Sequence, residues 1–262
     1  MSTPVTLDNL AALKAQREPI VSLTAYDAGF ARLAEAAGIE VVLVGDSLGM
    51  VLHGEADTLG VTMADMAYHT RLVRRGLTDT LLVADLPYQS YTSAGQALAN
   101  ARQLVAAGAD VVKLEGGAVM VDTVVQLSRA GIAVCGHLGL QPQSIRELGG
   151  FRIQGRDSES AARIHADAVA LEEAGAQLLV LECVPPQLAA DIRAAVRMPV
   201  IGIGAGGDCD GQVLVLQDVL GISEYQPRFA RNFLTGRDSI QAALAAYVAA
   251  VKAREFPPPA AD

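Results

Sequence analysis

The sequence predicts an α/β protein: a closed (β/α)8 barrel, or TIM barrel, formed by a single domain over residues 1–256. Short, continuous apolar runs alternate with longer Ala-rich amphipathic stretches along the chain. Continuous apolar runs are typical of parallel strands that helices cover on both faces. The 262 residues, 51% of them hydrophobic, match the length of one such barrel and suffice for its core. An open doubly wound sheet is the alternative, because the eighth strand is weakly marked.

Seven strands are clearly marked, and helical stretches separate them. The strands are predicted over residues 20–24, 41–44, 81–84, 110–114, 132–135, 177–181 and 199–203, with a weak eighth over 213–216. Helices are predicted over residues 28–37, 63–76, 94–107, 119–130, 159–174, 187–196 and 239–254. Several of these helices end at glycine, the residue that forms a left-handed C-cap without strain: Gly38, Gly76, Gly108, Gly131 and Gly175.

Two segments fall outside this alternation. Residues 138–157 form the longest connection between a strand and its helix, and loops of that length commonly act as lids or bind ligands. Residues 257–262, which include three prolines, are expected to form a disordered tail.

Charge, hydropathy and cysteine content exclude several kinds of partner. The 29 acidic residues exceed the 20 Lys and Arg, so affinity for nucleic acid through counterion release is not expected. No apolar run reaches the ~18 residues that cross a bilayer, and the N-terminus lacks a signal-peptide pattern. Cys135, Cys183 and Cys209 are odd in number and far apart, which favours a reducing compartment. We expect a cytoplasmic protein without a membrane or nucleic-acid partner.

Polar residues cluster directly after the predicted strands, where barrels of this class place their catalytic residues. From the second strand to the sixth they are Asp46, Asp85, Lys113 with Glu115, His137, and Glu182. The seventh strand opens into the glycine-rich stretch 202–207, which is either a phosphate-binding loop or a tight strand exit. Five consecutive strands therefore deliver ionisable side chains to one rim.

Three of these side chains indicate a metal site. If Asp46, Asp85 and Glu115 converge in one pocket, their charges repel, and a divalent cation removes that cost. Oxygen ligands without a Cys or His partner favour Mg²⁺ over Zn²⁺. The alternative is that each acid merely caps the helix that follows its strand.

The remaining polar residues allow two interpretations each. Lys113 lies two residues before Glu115 on one strand, so both side chains point to the same side. Lys113 pairs either with an anionic substrate or with a carboxylate in a structural ion pair. Glu182 is either a general base or a buried partner for Lys113 or a backbone N–H. His137 either donates a hydrogen bond to substrate or is a core histidine with satisfied nitrogens. Ser47 lacks a nucleophile-elbow pattern, which disfavours a serine hydrolase.

Together these residues indicate Mg²⁺-assisted chemistry on a carbonyl or carboxylate compound. The metal would chelate an α-keto acid and stabilise charge on its carbonyl oxygen. A glutamate would remove the neighbouring C–H proton, which gives an enolate.

Motifs along most of the chain resemble one family. They are residues 24–27 (TAYD), 43–50 (LVGDSLGM), 84–87 (ADLP), 112–117 (VKLEGG), 135–140 (CGHLGL), 154–156 (QGR), 181–185 (LECVP), 201–206 (IGIGAG) and 210–212 (DGQ). Their order and combination are similar to those of ketopantoate hydroxymethyltransferases. The sequence departs from the family pattern at Gly60, at Gln141 and over residues 207–209, none of which is a metal or base position.

The resemblance implies a (β/α)8 barrel that binds Mg²⁺ and acts in pantothenate biosynthesis. The reaction would transfer a hydroxymethyl group from 5,10-methylenetetrahydrofolate to 3-methyl-2-oxobutanoate, giving 2-dehydropantoate. The implied roles are metal binding by Asp46, Asp85 and Glu115, substrate binding by Asp46, Ser47, Asp85, Lys113 and His137, and proton abstraction by Glu182. The partners would be the keto acid, the folate and further copies of the chain, since the family forms decamers built from pentameric rings.

Three other functions are compatible with parts of the pattern. A related Mg²⁺-dependent barrel lyase or mutase that acts on phosphoenolpyruvate or isocitrate also stabilises an enolate, but the expected lid cysteine is absent from residues 138–157. An aldolase with Lys113 as a Schiff base is disfavoured, because nearby Glu115 favours a charged ammonium. A barrel that binds a metabolite without chemistry is disfavoured by the complete set of acidic residues.

Overall fold

Eight parallel strands close into a barrel in the computed structural model, which describes residues 4–150 and 152–258. In chain order they are β1 (Ile20–Thr24), β2 (Val41–Val44), β3 (Leu81–Asp85), β4 (Val111–Glu115), β5 (Ala133–Gly139), β6 (Leu178–Glu182), β7 (Val200–Ile203) and β8 (Gly211–Leu214). Each strand pairs with the next, and β8 pairs with β1, which closes the ring. The predicted closed barrel is confirmed.

Helices cover the outside of the barrel. They are α1 (Leu7–Gln16), α2 (Ala28–Ala37), α3 (Leu48–Val51), α4 (Met63–Arg74), α5 (Ala94–Ala107), α6 (Val121–Arg129), α7 (Ile145–Leu148), α8 (Ser158–Ala174), α9 (Pro186–Ala195), α10 (Leu216–Leu220) and α11 (Ile240–Lys252). Short 3₁₀ turns span Ala118–Met120 and Pro142–Ser144. All seven predicted helices are present, and α1, α3, α7 and α10 were not predicted.

Two strands differ from their predicted bounds by two residues or more, and four others differ by a single residue at one or both ends. Strand β8 begins at Gly211, two residues before the predicted start, and Gly211 pairs there with Ile20 of β1. This first position must be glycine, because a Cβ there would lie 2.3 Å from the Ile20 carbonyl oxygen. A strand that must begin with glycine lacks the β-branched signal that marks the others. Strand β5 continues to Gly139, so His137 lies within the strand rather than in the loop after it.

Glycine ends helices as predicted at three positions and not at a fourth. Gly38, Gly108 and Gly175 are left-handed C-caps of α2, α5 and α8. The prediction was wrong for Gly76, because the C-cap of α4 is Arg75, which has a right-handed conformation. Gly76 instead allows close packing, since a Cβ there would lie 2.5 Å from the carbonyl oxygen of Ala28.

Helix α1 closes the amino-terminal end of the barrel. Its Leu10 is fully buried and packs with the lower interior side chains of the strands. The ammonium of Lys14 donates hydrogen bonds to the carbonyl oxygens of Arg193, Val196 and Met198 and lies 3.0 Å from Asp210 Oδ2. The end opposite the predicted site is thus sealed by apolar packing and a saturated ammonium.

Helix α11 fastens the seam between β1 and β8. The hydroxyl of Tyr247 lies 2.9 Å from the Ser22 carbonyl oxygen and 3.1 Å from that of Gln212, one on each strand. Lys252 donates a 2.7 Å hydrogen bond to the carbonyl oxygen of Pro19. The last helix of the barrel therefore holds its first strand in place.

Two sequence predictions concern the tail of the chain and membrane-spanning segments. Residues 259–262 of the predicted tail lie outside the described residues. Among the helices of the described ranges, none combines the length and the apolar character needed to cross a bilayer.

We expect Gly139→Ala to destabilise the barrel at the rim where β5 meets β6. Gly139 has a φ of 88°, and a Cβ there would lie 2.2 Å from the carbonyl oxygen of Glu182. Overpacking of this kind costs about 1–3 kcal/mol in addition to the left-handed strain. Urea unfolding should show the loss. Gly131→Ala is the matched control, since Gly131 has a φ of 75° but no atom within 4 Å of the added Cβ. Equal losses in the two variants would contradict the steric argument.

Candidate active site

The predicted site residues meet at the carboxyl-terminal rim of the barrel. Asp85, Glu115 and Glu182 are the last residues of β3, β4 and β6, and Lys113 and His137 face the same rim from β4 and β5. Strand register places Asp85 beside Lys113, and Glu115 beside His137. Asp46 and Ser47 follow β2 in the turn that leads into α3. Parallel topology thus gathers residues that are far apart in sequence.

Asp46 and Asp85 are in direct contact. The backbone N–H of Asp46 donates a 3.1 Å hydrogen bond to Asp85 Oδ2, and both residues are buried. Next to them, the Ser47 hydroxyl lies 2.9 Å from the hydroxyl of Tyr26, which follows β1. Burial raises the pKa of Tyr26, so its hydroxyl keeps its proton. Ser47 is therefore oriented by a neutral phenol.

Lys113 is a buried cation of the site. Its Nζ lies 3.0 Å from Asp85 Oδ1, and its side chain is 4% exposed. Burial alone lowers the pKa of this amine, but Asp85, Glu115 and Asp46 outweigh burial and raise it. Lys113 therefore stays charged, which disfavours the Schiff-base aldolase that the sequence left open.

The acidic residues outnumber their counter-charge. Burial, followed by the charges of Asp85 and Glu115, raises the pKa of Asp46 to about 8. Burial also raises the pKa of Asp85, against the opposing effect of Lys113. These two aspartates and Glu115 outnumber the positive groups beside them, Lys113 and His137, so the pocket has room for further positive charge.

His137 lies between two glutamates. Its Nδ1 is 3.1 Å from Glu115 Oε1 and 3.4 Å from Lys113 Nζ, and its Nε2 is 3.3 Å from Glu182 Oε2. Burial and Lys113 oppose the imidazolium, but the contacts with Glu115 and Glu182 prevail and raise the pKa of His137 to about 9. Within the described residues, Nε2 has no partner aligned for a hydrogen bond. Both ring nitrogens of His137 thus lie beside carboxylates at the rim.

Glu182 is more accessible to solvent than Asp85 and Glu115, the other acids that pair with Lys113 or His137. Its side chain is 14% exposed, against 2% for Asp85 and 3% for Glu115. The alternative pairing of Glu182 with Lys113 is not observed, since Glu182 lies against His137. The next residue, Cys183, has a φ of 47°, a conformation that non-glycine residues rarely adopt and that often marks functional sites. The backbone therefore turns sharply just after the candidate base.

The sequence analysis missed two residues that contact the acidic cluster. Gln143, in the 3₁₀ turn after β5, donates a 2.7 Å hydrogen bond from Nε2 to Asp46 Oδ2, and its backbone N–H donates one to Glu115 Oε2. Tyr91 donates a 2.5 Å hydrogen bond to Gln143 Oε1. Gln143 lies in the long loop that the sequence singled out, whereas Tyr91 carries no sequence signal.

The glycine-rich stretch after β7 is tightly packed. A Cβ at Gly204 would lie 2.7 Å from the ring of Phe229, and one at Gly206 would lie 2.7 Å from Pro186. Both glycines have positive φ angles, of 61° and 85°. Close packing and positive φ angles explain why these two positions are glycine, as expected for a tight turn after the strand.

The donor set of the site suits Mg²⁺ only in part. Across residues 4–150 and 152–258, no three Asp, Glu, His or Cys side chains are arranged to enclose a metal ion. Both oxygens of Glu115 are engaged, by His137 and by the Gln143 backbone. Asp85 also has both oxygens in contacts, with Lys113 and with the Asp46 backbone N–H, and these two aspartates would offer oxygen ligands in a pocket with excess negative charge. Mg²⁺ commonly binds one or two carboxylates and keeps water or substrate oxygens, so the residues fit such a site.

Comparison with known proteins identifies the family. A model of the family described as ketopantoate hydroxymethyltransferase matches residues 4–259. The chain belongs to this family. Curated 3-methyl-2-oxobutanoate hydroxymethyltransferases from Thiobacillus denitrificans and Chromohalobacter salexigens are 58% and 56% identical to it, over 97% of each chain. As a ketopantoate hydroxymethyltransferase family member it is an enzyme, a one-carbon transferase, so the disfavoured alternative of a binding barrel without chemistry is wrong.

Solved structures share the fold over most of the chain. A phosphoenolpyruvate phosphomutase from Streptomyces platensis subsp. rosaceus has a TM-score of 0.62 and 16% identity, covering 82% of each chain. A phosphonopyruvate hydrolase solved with oxalate and Mg²⁺ has a TM-score of 0.61 and 15% identity, covering 80% of each chain. At this identity the likeness is one of fold. The ketopantoate hydroxymethyltransferase family thus shares its barrel with the enzymes that the sequence raised as the alternative.

Proposed function

We propose that the enzyme transfers a hydroxymethyl group from 5,10-methylenetetrahydrofolate to 3-methyl-2-oxobutanoate, giving 2-dehydropantoate for pantothenate synthesis. A C3–H bond of the keto acid breaks, the resulting carbanion takes the one-carbon unit, and water supplies the hydroxyl oxygen as tetrahydrofolate leaves. The observation that supports this reaction is the meeting of acids, ammonium and imidazole at one rim in a member of this family.

The metal site is proposed at Asp46 and Asp85, with Glu115 nearby. Bound Mg²⁺ would offset the excess charge of these carboxylates and act as a Lewis acid toward the carbonyl oxygen of the keto acid. Gln143 already engages one oxygen of Asp46, Oδ2. Glu115 contributes negative charge from its place between His137 and the Gln143 backbone.

The keto acid would be bound by Lys113, Ser47 and the two aspartates. Lys113 places a charged ammonium 3.0 Å from Asp85 at the rim, where it attracts the carboxylate of the substrate. The Ser47 hydroxyl, held 2.9 Å from Tyr26, can donate a hydrogen bond to the same molecule. A small anionic substrate thereby adds charge that Lys113 and the metal site balance.

Glu182 would remove the C3 proton, with His137 beside it. Glu182 Oε2 lies 3.3 Å from His137 Nε2 at the rim, and the partial exposure of the Glu182 side chain leaves it open to a ligand. His137, hydrogen-bonded through Nδ1 to Glu115, places its other ring nitrogen beside the Glu182 carboxylate. An ionised carboxylate is the form that accepts a proton.

Proton exchange at C3 tests this proposal directly. ¹H NMR of 3-methyl-2-oxobutanoate in D₂O should show loss of the C3–H signal in the presence of the enzyme and Mg²⁺. Addition of 5,10-methylenetetrahydrofolate should then give 2-dehydropantoate. Folded enzyme that yields neither exchange nor product would overturn the proposal and favour a phosphoenolpyruvate-type reaction.

Mg²⁺ should stabilise the protein more at pH 8 than at pH 5. The pKa of Asp46 is raised from its ordinary value of 3.8 to about 8 in the folded, metal-free protein, so the folded state holds this proton to higher pH than the unfolded chain does. Metal-free stability therefore falls as the pH rises from about 4 to 8. Thermal unfolding in EDTA should show this fall, and added Mg²⁺ should reverse more of it at pH 8.

Asp46→Asn separates this effect from other titrating groups. The raised pKa of His137, about 9, also makes stability fall with rising pH above its ordinary value of 6.5. The Asn variant keeps the His137 contribution and loses the one from Asp46. A pH profile in EDTA that is unchanged in Asp46→Asn would refute the assignment to Asp46.

We also propose that the enzyme is a cytoplasmic homo-oligomer, a decamer by analogy with its family. Large apolar side chains on its surface support an interface between copies, since Val119 is 80% exposed, Tyr225 76% and Ile222 64%. Light scattering of the purified 27.3 kDa chain measures the oligomeric state.

A further inference from the structure

Gln143 carries no charge but contacts two of the three acids that form the buried cluster of Asp46, Asp85 and Glu115. The residue is buried, 5% exposed, and projects from the 3₁₀ turn Pro142–Ser144. Its Nε2 donates hydrogen bonds of 2.7 Å to Asp46 Oδ2 and 3.0 Å to the Leu86 carbonyl oxygen. Its backbone N–H donates a 3.0 Å hydrogen bond to Glu115 Oε2. One residue of the β5–α8 loop thus touches the segments that follow β2 and β3 and the last residue of β4.

The chemistry of its neighbours fixes which way the Gln143 amide points. The Leu86 carbonyl oxygen can only accept a hydrogen bond, so it requires the NH₂ group, and the same group donates to Asp46 Oδ2. The amide oxygen then faces Tyr91, whose hydroxyl donates a 2.5 Å hydrogen bond to it. A carboxylate in the same place would have no proton for either acceptor.

Tyr91, Gln143 and Glu115 form a ring of hydrogen bonds in which each residue donates to the next. The backbone N–H of Glu115 donates to the Tyr91 hydroxyl oxygen at 3.3 Å, and Tyr91 donates to Gln143. Gln143 in turn donates to Asp46 and, through its backbone, to the Glu115 side chain. Burial raises the pKa of Tyr91, so the hydroxyl retains the proton that it donates.

We propose that Gln143 is a positioning residue that holds Asp46 and Glu115 in their working orientation, and that Tyr91 orients Gln143. The proposal rests on the proposed function, because Asp46 matters there as a ligand for metal and substrate. The amide fixes one oxygen of Asp46 and leaves the other free for a ligand. It also docks the long loop onto the site, so loop position and carboxylate orientation are linked.

The test compares Gln143→Met, Tyr91→Phe and the double variant with the unchanged enzyme. Methionine keeps the approximate size of glutamine and removes the amide. The first measurement is Mn²⁺ affinity without substrates, by electron paramagnetic resonance. The second is the rate of C3–H exchange at saturating Mg²⁺ and keto acid. We expect Gln143→Met to lower Mn²⁺ affinity and the exchange rate about 10–100-fold, the usual effect of losing a group that orients a ligand.

The double variant and a neighbouring glutamine serve as controls. Since Tyr91 acts through Gln143, Tyr91→Phe should cost less, and the double variant should be no worse than Gln143→Met. Gln141→Met makes the same change two positions earlier in the loop, where the side chain forms no capping hydrogen bond, and should match the unchanged enzyme. Additive losses, or equal losses in Gln141→Met, would overturn the proposal.

Two further results separate failure of this proposal from failure of the proposed function. If the unchanged enzyme gives no exchange, the proposed function fails, and the Mn²⁺ affinities still decide the role of Gln143. If exchange is normal in the unchanged enzyme and Gln143→Met only lowers the melting temperature or raises KM for the folate, Gln143 is structural or a loop contact. Tyr91→Phe, which removes one oxygen, keeps the test decisive if Gln143→Met does not fold.

Discussion

Replacing Glu182 by glutamine should reduce Mg²⁺-dependent C3–H exchange of 3-methyl-2-oxobutanoate by about 10²–10⁴-fold, the range that a positioned general base supplies. Glutamine keeps the size of the side chain and can still contact His137 Nε2, which lies 3.3 Å from the carboxylate in the enzyme. It has no carboxylate to accept the proton. Transfer from the folate should fall in parallel, because it follows proton removal.

The readout for Glu182→Gln is the decay of the C3–H signal by ¹H NMR in D₂O, with hydroxymethyl transfer followed separately. Glu159→Gln, the same substitution on an exposed position at the start of α8, is the matched control and should be neutral. Binding of the keto acid should change far less than the rate. Exchange within about threefold of the unchanged enzyme would assign the base to another residue.

Replacing Lys113 by methionine should destabilise the metal-free enzyme by about 3–5 kcal/mol, as expected when one partner of a buried ion pair is removed. Lys113 is 3% exposed, and its ammonium lies 3.0 Å from Asp85. Without it, Asp85 loses its ion-pair partner, and Asp46 loses the nearby positive charge that offsets its own in the buried pocket. Urea unfolding in EDTA at pH 8 measures the loss of stability.

Two comparisons identify the cause of that loss. The double variant Lys113→Met with Asp85→Asn removes both charges of the pair and should regain part of the stability. Lowering the pH should also reduce the loss, because the pKa values of Asp46 and Asp85 are raised and both carboxyls take up protons. A loss below about 1 kcal/mol, the value of an exposed pair, would show that Lys113 is not needed to balance the cluster.

The barrel and the clustering of its acids could be predicted from sequence because both follow from strand order. Asp46, Asp85 and Glu182 come directly after or at the end of apolar runs, and parallel strands bring those ends to one rim. The eighth strand was placed two residues late, because Gly211 has no side chain to register in an apolar pattern. Helix α1 was missed because it covers the end of the barrel and buries chiefly Leu10.

The hydrogen-bonding partners in the site could not be predicted. Gln143 meets Asp46 across 97 positions of sequence, and that meeting depends on the path of an irregular loop. The interpretations of Glu182 as a partner for Lys113 and of His137 as a satisfied core residue both depended on side-chain directions. Register gives neighbours on adjacent strands, as for Glu115 and His137, but not the rotamers that bring His137 to Glu182.

The seam closed by α11 sets the time course of folding during synthesis. The hydrogen bonds between Tyr247 and Ser22 and between Lys252 and Pro19 join residues 225 and 233 positions apart. At about 5–20 residues per second, the ribosome needs roughly 10–45 s after making the first strand before the last helix exists. Until β8 has been made, β1 lacks its strand partner, and until α11 has been made the seam lacks the hydrogen bonds of Tyr247 and Lys252. Barrel closure therefore waits for the last elements of the barrel and is limited by long-range contacts that form slowly.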